Sequence, residues 1–427
     1  MITNYKQLAT TELRKKAIDI IDHGLEFLNI EKIVKEKFIL KNNTLEIYSE
    51  KDEPNKYNLN NYKNIYVISI GKGSSRAAKE IERILNKRIH KGITLDTEKA
   101  KLKHFKSFKG THPLPSKKNQ KAAKAIVKNL KKTKPEDLVL FLVFGGASAL
   151  LSYPAKISIK QLKQYTEELI KSGKGIHQIN TIRKHISRVK GGQLTKLIYP
   201  TASISCIFSD VLGNDLAFVA SGPTVRDQTT IADAKEIAKE FNWPKDIFIE
   251  TPKDQKYFSK NKNILIFSNN LPLLKMKKRA ERLGYNTEIY SFKIKGEAKE
   301  TAKKLLDSIK SKNKKPPQLI LAGGETTVTV KGRGKGGRNQ ELVLAALEDI
   351  KENELIASIA SDGRDNTEAA GAIGDTATIK KANQLNLNPH DYLNKNDSFH
   401  FFKKTGDLIY SKKGINVADF ILLIKNP

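Results

Sequence analysis

Residues 319–347 read LILAGGETTVTVKGRGKGGRNQELVLAAL, and the fold class turns on how that stretch divides. Leu319 to Ala322 is an apolar run closing on Gly323-Gly324, which predicts a buried strand, and the β-branched Thr326 to Val330 predicts a second. Val343, Ala346, Leu347 and Ile350 recur at helical spacing. Between them lie Gly332, Gly334, Gly336 and Gly337, interleaved with the cations Arg333, Lys335 and Arg338. Glycine lets backbone N–H groups turn toward a ligand, and a helix N-terminus adds unpaired donors and partial positive charge, so the loop predicts an anion site. A solvated basic hairpin is the competing reading, and the flanking GGET and RNQE argue against it. Gly332, Gly334 and Gly337 also satisfy G-x-G-x-x-G. A dinucleotide fingerprint, however, belongs in the first strand–helix turn of a doubly wound domain, with small uncharged residues around the pyrophosphate. This loop comes late in the chain and is cationic.

The same pattern of strand, small residues and helix recurs upstream. Ile65 to Ile70 predicts a strand followed by Gly71-Lys72-Gly73-Ser74-Ser75 and a helix from Ala77 to Leu85. The Walker spacing is absent, but Lys72 stands between two glycines at a strand's carboxyl end, where open α/β sheets bind ligands. Leu138 to Phe144 has the length and character of a central parallel strand and ends in Gly145-Gly146-Ala147-Ser148. Ser148 lacks the second glycine of a nucleophile elbow and a histidine–acid pair in triad order, so backbone recognition of a ligand is expected there. Ile179 to Gly192 predicts a helix closed by glycine, with Arg183, Lys184, Arg188 and Lys190 along it. Ser203 to Phe208 predicts a strand ending in Ser209-Asp210, a place for an aspartate that holds magnesium or accepts a proton. The lone His112, in the rigid turn Gly110 to Pro115, reads as structural, and Asn42 to Asn64 reads as a surface hairpin or loop.

From about Ile231 the helix–strand alternation starts again, and Ile356 to Ala360 predicts a strand ending in Ser361-Asp362-Gly363. Val417 to Ile424 predicts a final strand. Alternation throughout implies α/β architecture, with parallel or mostly parallel sheets covered by helices on both faces.

The 427 residues suffice for two such domains. The single Cys206 lies in the apolar segment SISCIF, so neither a disulfide framework nor a zinc cluster can be drawn. No secretory signal and no run approaching ~20 apolar residues is present, and a cytoplasmic location is expected. The net charge of +31, from 77 basic and 46 acidic residues, would attract any polyanion. The lysines are spread through every expected helix, however, and aromatics make up only 7 % of the chain, so a lysine-rich surface is favoured over a nucleic-acid interface.

Eight motifs, in order, carry a family resemblance: IGKGSSRAA, GTHPLP, FGGASALL, NTIRKHISRVKGG, FSDVLGNDLAFVASGPTVRD, GGETTVTV, GKGGRNQEL and SDGRDNTEAAGA. The sequence resembles the glycerate 2-kinases with a C-terminal MOFRL domain. The resemblance implies two α/β/α sandwich domains, residues 1–240 Rossmann-like and residues 241–427 containing MOFRL, with the active site in the interdomain cleft. It implies transfer of the ATP γ-phosphoryl group to the 2-hydroxyl of D-glycerate, with Mg2+ or another divalent cation.

By matching motif positions, Lys72, Arg338 and Asp210 are the expected catalytic residues, and Asp210 and Asp362 the metal-binding ones. Substrate and ATP contacts are expected from Gly71, Gly73, Ser74, Gly145, Gly146, Ala147, Ser148, Asn180, Arg183 and Lys190. In the C-terminal half they are expected from Gly323, Gly324, Glu325, Thr326, Gly336, Gly337 and Asn339. Two departures stand out: Asn366 replaces a glycine common in the family, and Ser411 to Val417 replaces a GPTGTNV-like turn. D-glycerate and ATP are the expected partners, with no nucleic acid and no membrane, and a homodimer is left open. The alternatives are an NAD(P)H-dependent hydroxypyruvate reductase and a catalytically inactive polyanion-binding protein.

Overall fold

A computed structural model describes residues 1–209, 215–268, 270–310, 317–412, 414 and 417–427. Asp210, most of the linker after Lys310, and Lys413, Ile415 and Asn416 of the expected C-terminal turn lie outside them. The chain forms two compact units, Ile30–Ser268 and a second that joins Met1–Asn29 to Asn269–Pro427.

In the first unit, the segment around residues 42–64 builds a small antiparallel sheet from β1 (Phe38–Lys41), β2 (Thr44–Tyr48) and β3 (Pro54–Asn58). A six-stranded sheet follows, made of β4 (Ile65–Ile70), β5 (Ile89–Asp96), β6 (Phe105–Lys109), β7 (Leu138–Phe144), β8 (Ala202–Phe208) and β9 (Asn261–Phe267). Its order is β6-β5-β4-β7-β8-β9 and every ladder is parallel. Every residue of β4 and β7 is buried, as a strand covered by helices on both faces requires. Strand order reverses between β4 and β7, so the crevice of this doubly wound sheet opens at their carboxyl ends.

The helix expected over residues 179–192 is shorter and lies earlier, at Ile176–His185. Gly191 and Gly192, at φ +56° and +81°, do not close it; Gly192 instead caps the next helix, Gln193–Ile198.

The second unit contains β10 (Asn286–Ile294), β11 (Gln318–Gly324), β12 (Glu354–Ala360), β13 (Gly371–Asp375), β14 (Leu408–Ile409) and β15 (Asp419–Lys425) in the order β10-β11-β15-β12-β13-β14. Only the β10–β11 ladder is parallel here: β15 inserts antiparallel between β11 and β12, and β12–β13 and β13–β14 are antiparallel as well. The second strand expected at Thr326–Val330 does not form; the segment makes one isolated bridge, Thr327 to Glu297. Two of its amides are satisfied locally instead. Thr327 donates to Gly296 O at 2.8 Å, and Thr329 donates to the Glu297 carboxylate, also at 2.8 Å.

The division expected at residue 240 moves for two reasons. β9 pairs with β8 and carries the first unit on to residue 268. The amino-terminal helix Glu12–Glu26, capped by the Thr11 side chain, belongs to the second unit. There the buried Arg14 forks onto Asp375 at 2.8 and 2.7 Å and reaches Asp407 at 2.7 Å.

Candidate active site

At the switch point of the first unit the loops after β4 and β7 are stitched together. The Lys72 N–H donates to Gly145 O at 2.9 Å. Gly71 has φ +115°, and a Cβ there would stand 2.5 Å from Phe144 O. At Gly146, φ +76°, a Cβ would stand 3.1 Å from the Lys72 side chain and 3.2 Å from the His112 ring. His112, expected to be structural, therefore shares the crevice with Lys72.

The helix Ser74–Leu85 is not the open anion cradle that the sequence suggested. Asp96, at the end of β5, takes its first donors, with Gly73 N–H at 3.3 Å and Ser75 N–H at 2.9 Å. The Ser74 hydroxyl donates to Leu95 O at 3.1 Å. Gly73 and Ser74 thus shape the loop around a carboxylate already in place.

Arg183, on the helix Ile176–His185, and Lys190 behave differently. Among the described residues neither has a carboxylate within ion-pair distance, whereas the neighbouring Lys184 holds Asp227 at 3.0 Å. Lys190 is 4 % exposed, and its ammonium donates to Leu151 O. Burial, reinforced by the Arg183 charge, pulls Lys190 down to about 7. Burial likewise pulls His112 down to about 4, with Lys72 and Arg183 adding to the effect, so the imidazole is neutral at physiological pH. Lys72, Arg183 and Lys190 thus gather near the switch point with no carboxylate paired to them among the described residues.

Arg183 and Lys190 line a cavity of about 20 Å3 with Ser148, Ser152 and Ser187. Ser148 Oγ lies 3.0 Å from Ser221 Oγ, which donates to Asn180 Oδ1 at 2.7 Å. The Asn180 Nδ2 is buried and without a partner among the described residues. Ala220 and Ser221 both adopt left-handed φ, +56° and +59°, a cost that non-glycine residues bear where a site fixes its geometry.

In the second unit the basic glycine loop faces the protein. Gly332 N–H donates to Asn396 Oδ1 at 2.9 Å, Gly334 N–H to Lys395 O at 2.9 Å, and Lys335 N–H to Asp397 Oδ1 at 2.9 Å. A Cβ at Gly336 would stand 2.3 Å from Ser398 Oγ, and one at Gly337 would stand 2.1 Å from Asp365 O. Gly332, Gly334 and Gly336 accommodate the turn around residues 395–398 and Gly337 accommodates Asp365, which leaves the three amide donors above unavailable to a ligand.

The helix Arg338–Ala346 is capped by the buried Asp365, which accepts from Asn339 N–H at 3.2 Å and Gln340 N–H at 2.9 Å. Asn339 spends its side chain on Asp365 and Ser358. Asp365→Ala should therefore leave three buried donors unpaired, the amides of Asn339 and Gln340 and the Asn339 Nδ2, and cost ~1–3 kcal/mol, read as a lower midpoint in urea with an unchanged m-value.

Arg338 is likewise engaged. Its Nε lies 2.5 Å from Asp419 Oδ2, its Nη2 lies 3.0 Å from Asp419 Oδ1, and Nη2 also meets Glu325 at 2.7 Å. Burial pushes the Asp419 carboxyl up to about 6 against the pull of Arg338, and it stays ionised at neutral pH. Gly323 and Gly324 end β11 opposite Phe420 and Asp419, and a Cβ on Gly324 would strike Ile294 backbone at 2.3 Å. Thr326 is buried.

Among the described residues no group of three His, Cys, Asp or Glu side chains is assembled to hold a metal. Asp362 is half-buried and accepts from Arg364 N–H at 3.1 Å through one oxygen. A single carboxylate of this kind fits magnesium held mainly by phosphate oxygens and water. Asn366 has φ +53°, which explains why a glycine would also suit that position.

Asp96, Asp419 and His112 were the residues that sequence reading missed. The first two stand at strand termini with no spacing relation to the helix start or the arginine they serve. For His112, the signal available was its place in a rigid turn rich in proline.

Residues 16–249 match a family described as a domain of unknown function, DUF4147, and residues 318–419 match the MOFRL family. The chain is 34 % identical to a protein named glycerate 2-kinase from Pyrococcus horikoshii, over 96 % of this chain and 95 % of that one. A crystal structure of a glycerate kinase from Thermotoga maritima superposes with a TM-score of 0.85 at 31 % identity, covering 96 % of this chain and 99 % of that one. A protein named putative hydroxypyruvate reductase from Agrobacterium vitis is 33 % identical, over 71 % of this chain and 73 % of that one. Among the described residues no helix is long and apolar enough to cross a membrane.

Proposed function

The chain belongs to the glycerate 2-kinase family with a C-terminal MOFRL domain, and from that premise we propose that it transfers the γ-phosphoryl group of ATP to the 2-hydroxyl of D-glycerate, giving 2-phosphoglycerate and ADP. The observation that carries this reading is the cluster of Lys72, Arg183 and Lys190 at the β4–β7 switch point, with no carboxylate paired to any of the three among the described residues. Phosphoryl transfer asks the protein mainly to position two anions in line and to neutralise charge on the transferring oxygens.

The 2-hydroxyl oxygen forms the new bond to the γ-phosphorus, and the bond to the β-bridging oxygen breaks to release ADP. In this proposal Lys72 and Arg338 neutralise phosphoryl charge, and Asp210 accepts the hydroxyl proton; the role of Asp210 rests on its motif alone. Magnesium, when bound, neutralises the nucleotide phosphates, with Asp362 as its candidate ligand. The reductase reading loses its sequence basis, because the G-x-G-x-x-G loop spends the amides of Gly332, Gly334 and Lys335 on Asn396, Lys395 and Asp397.

Phosphorus NMR of the product from D-glycerate should show a 2-phospho ester that enolase consumes directly. A 3-phospho ester alone would sink the assignment, and NADH oxidation with hydroxypyruvate would revive the reductase.

A further inference from the structure

Among the described residues four lysine or arginine residues are buried: Arg14, Lys37, Lys184 and Lys190. Arg14 faces Asp375 and Asp407, Lys37 faces Asp52, and Lys184 faces Asp227. Lys190 alone of the four faces no carboxylate among the described residues. A buried charge is retained when something opposite in sign reaches it, and a protein that gives three such groups a partner leaves the fourth for a ligand.

Arg183 beside it also has no carboxylate among the described residues, and the two cations line the same cavity with the hydroxyls of Ser148, Ser152 and Ser187. We propose that Arg183 and Lys190 form an internal carboxylate site that grips the acid group of the phosphoryl acceptor and confines acceptors to small hydroxy acids; this rests on the kinase reading above. The cavity, about 20 Å3, has room for a single oxygen-sized group. A carboxylate can seat one oxygen there, between the Lys190 ammonium and the Arg183 guanidinium, and leave its second oxygen at the mouth; calorimetry with inorganic phosphate separates this from a phosphoryl oxygen in the same place. Phosphate recognition is assigned to the exposed Lys72.

The test uses the full chain, with Lys190→Met and Arg183→Gln, and reads both turnover and direct calorimetric binding of D-glycerate, glyceramide and inorganic phosphate without ATP. Each variant should raise KM for D-glycerate by ~10–100-fold, the effect of losing a charge-assisted hydrogen bond, with KM for ATP nearly unchanged. The parent should bind D-glycerate and not glyceramide. Lys190→Met should also melt at or above the parent temperature, because it removes an uncompensated buried charge; a purely structural lysine holding Leu151 O predicts a lower one.

If KM for ATP rises instead, or if phosphate binds as tightly as glycerate and loses it in the same variants, the site is a phosphate site and the proposal falls while the kinase reading stands. If the parent turns over no glycerate yet binds it and the variants do not, the carboxylate site stands and the kinase reading falls. Unchanged KM and binding in folded variants overturn the proposal outright.

Discussion

Lys72→Ala should lower kcat by ~100-fold or more, the scale expected when a group that stabilises transition-state charge is removed. The backbone of residue 72 is fixed by its N–H bond to Gly145 O, and Gly71 and Gly146 adopt the positive φ that brings the two strand ends together. None of these features depends on the ammonium, which is exposed and forms no ion pair among the described residues. Alanine should therefore leave Tm close to the parent value. Lowered kcat and kcat/KM together would mark an interaction made in the transition state, whereas a rise in KM for ATP alone would mark ground-state binding of the nucleotide. Near-native turnover in a folded variant would return Lys72 to the lysine-rich surface.

The parts of this fold that were legible in sequence are those where one element suffices to state the physics. β4 and β7 were visible end to end because a strand buried on both faces is a continuous apolar run. The helix beginning at Arg338 was visible from its apolar spacing. What was not legible depends on which distant residue answers a local need. Two helix starts, at Ser74 and Arg338, were read as open anion cradles because glycine and cation surround them. Both are capped by carboxylates, Asp96 and Asp365, that lie 21 or more residues away along the chain. The same is true of strand order in the second unit, where the final strand inserts antiparallel between β11 and β12 and β13 and β14 continue the antiparallel pairing beyond β12. At the β4–β7 switch point the sequence named Lys72, Arg183 and Lys190, but not that Lys190 would be buried with no carboxylate beside it among the described residues.

Arg338→Ala should cost ~3–5 kcal/mol of stability, because it strands Asp419 as a buried carboxylate without its partner. Asp419 has a side chain only 4 % exposed and meets Arg338 through two hydrogen bonds. Activity lost in that variant would say nothing about catalysis, since the second unit would be weakened as a whole. Arg338→Lys keeps the charge but cannot span both Asp419 oxygens, so part of the same loss is expected there.

The informative variant is Arg338→Gln combined with Asp419→Asn, which removes both charges while keeping a hydrogen-bonding pair of similar shape. Replacing a buried ion pair by neutral groups is often close to neutral for stability, so the double variant should regain most of the lost denaturation midpoint. Arg338 directs Nε and Nη2 at its carboxylates, while Nη1 has no partner among the described residues, which leaves one edge of an anchored guanidinium for a ligand. If that edge meets the phosphoryl group during transfer, the double variant will be stable and still lose ~100-fold or more in kcat. Recovery of kcat along with stability would show instead that the arginine serves Asp419 alone, and that phosphoryl charge is met by other groups.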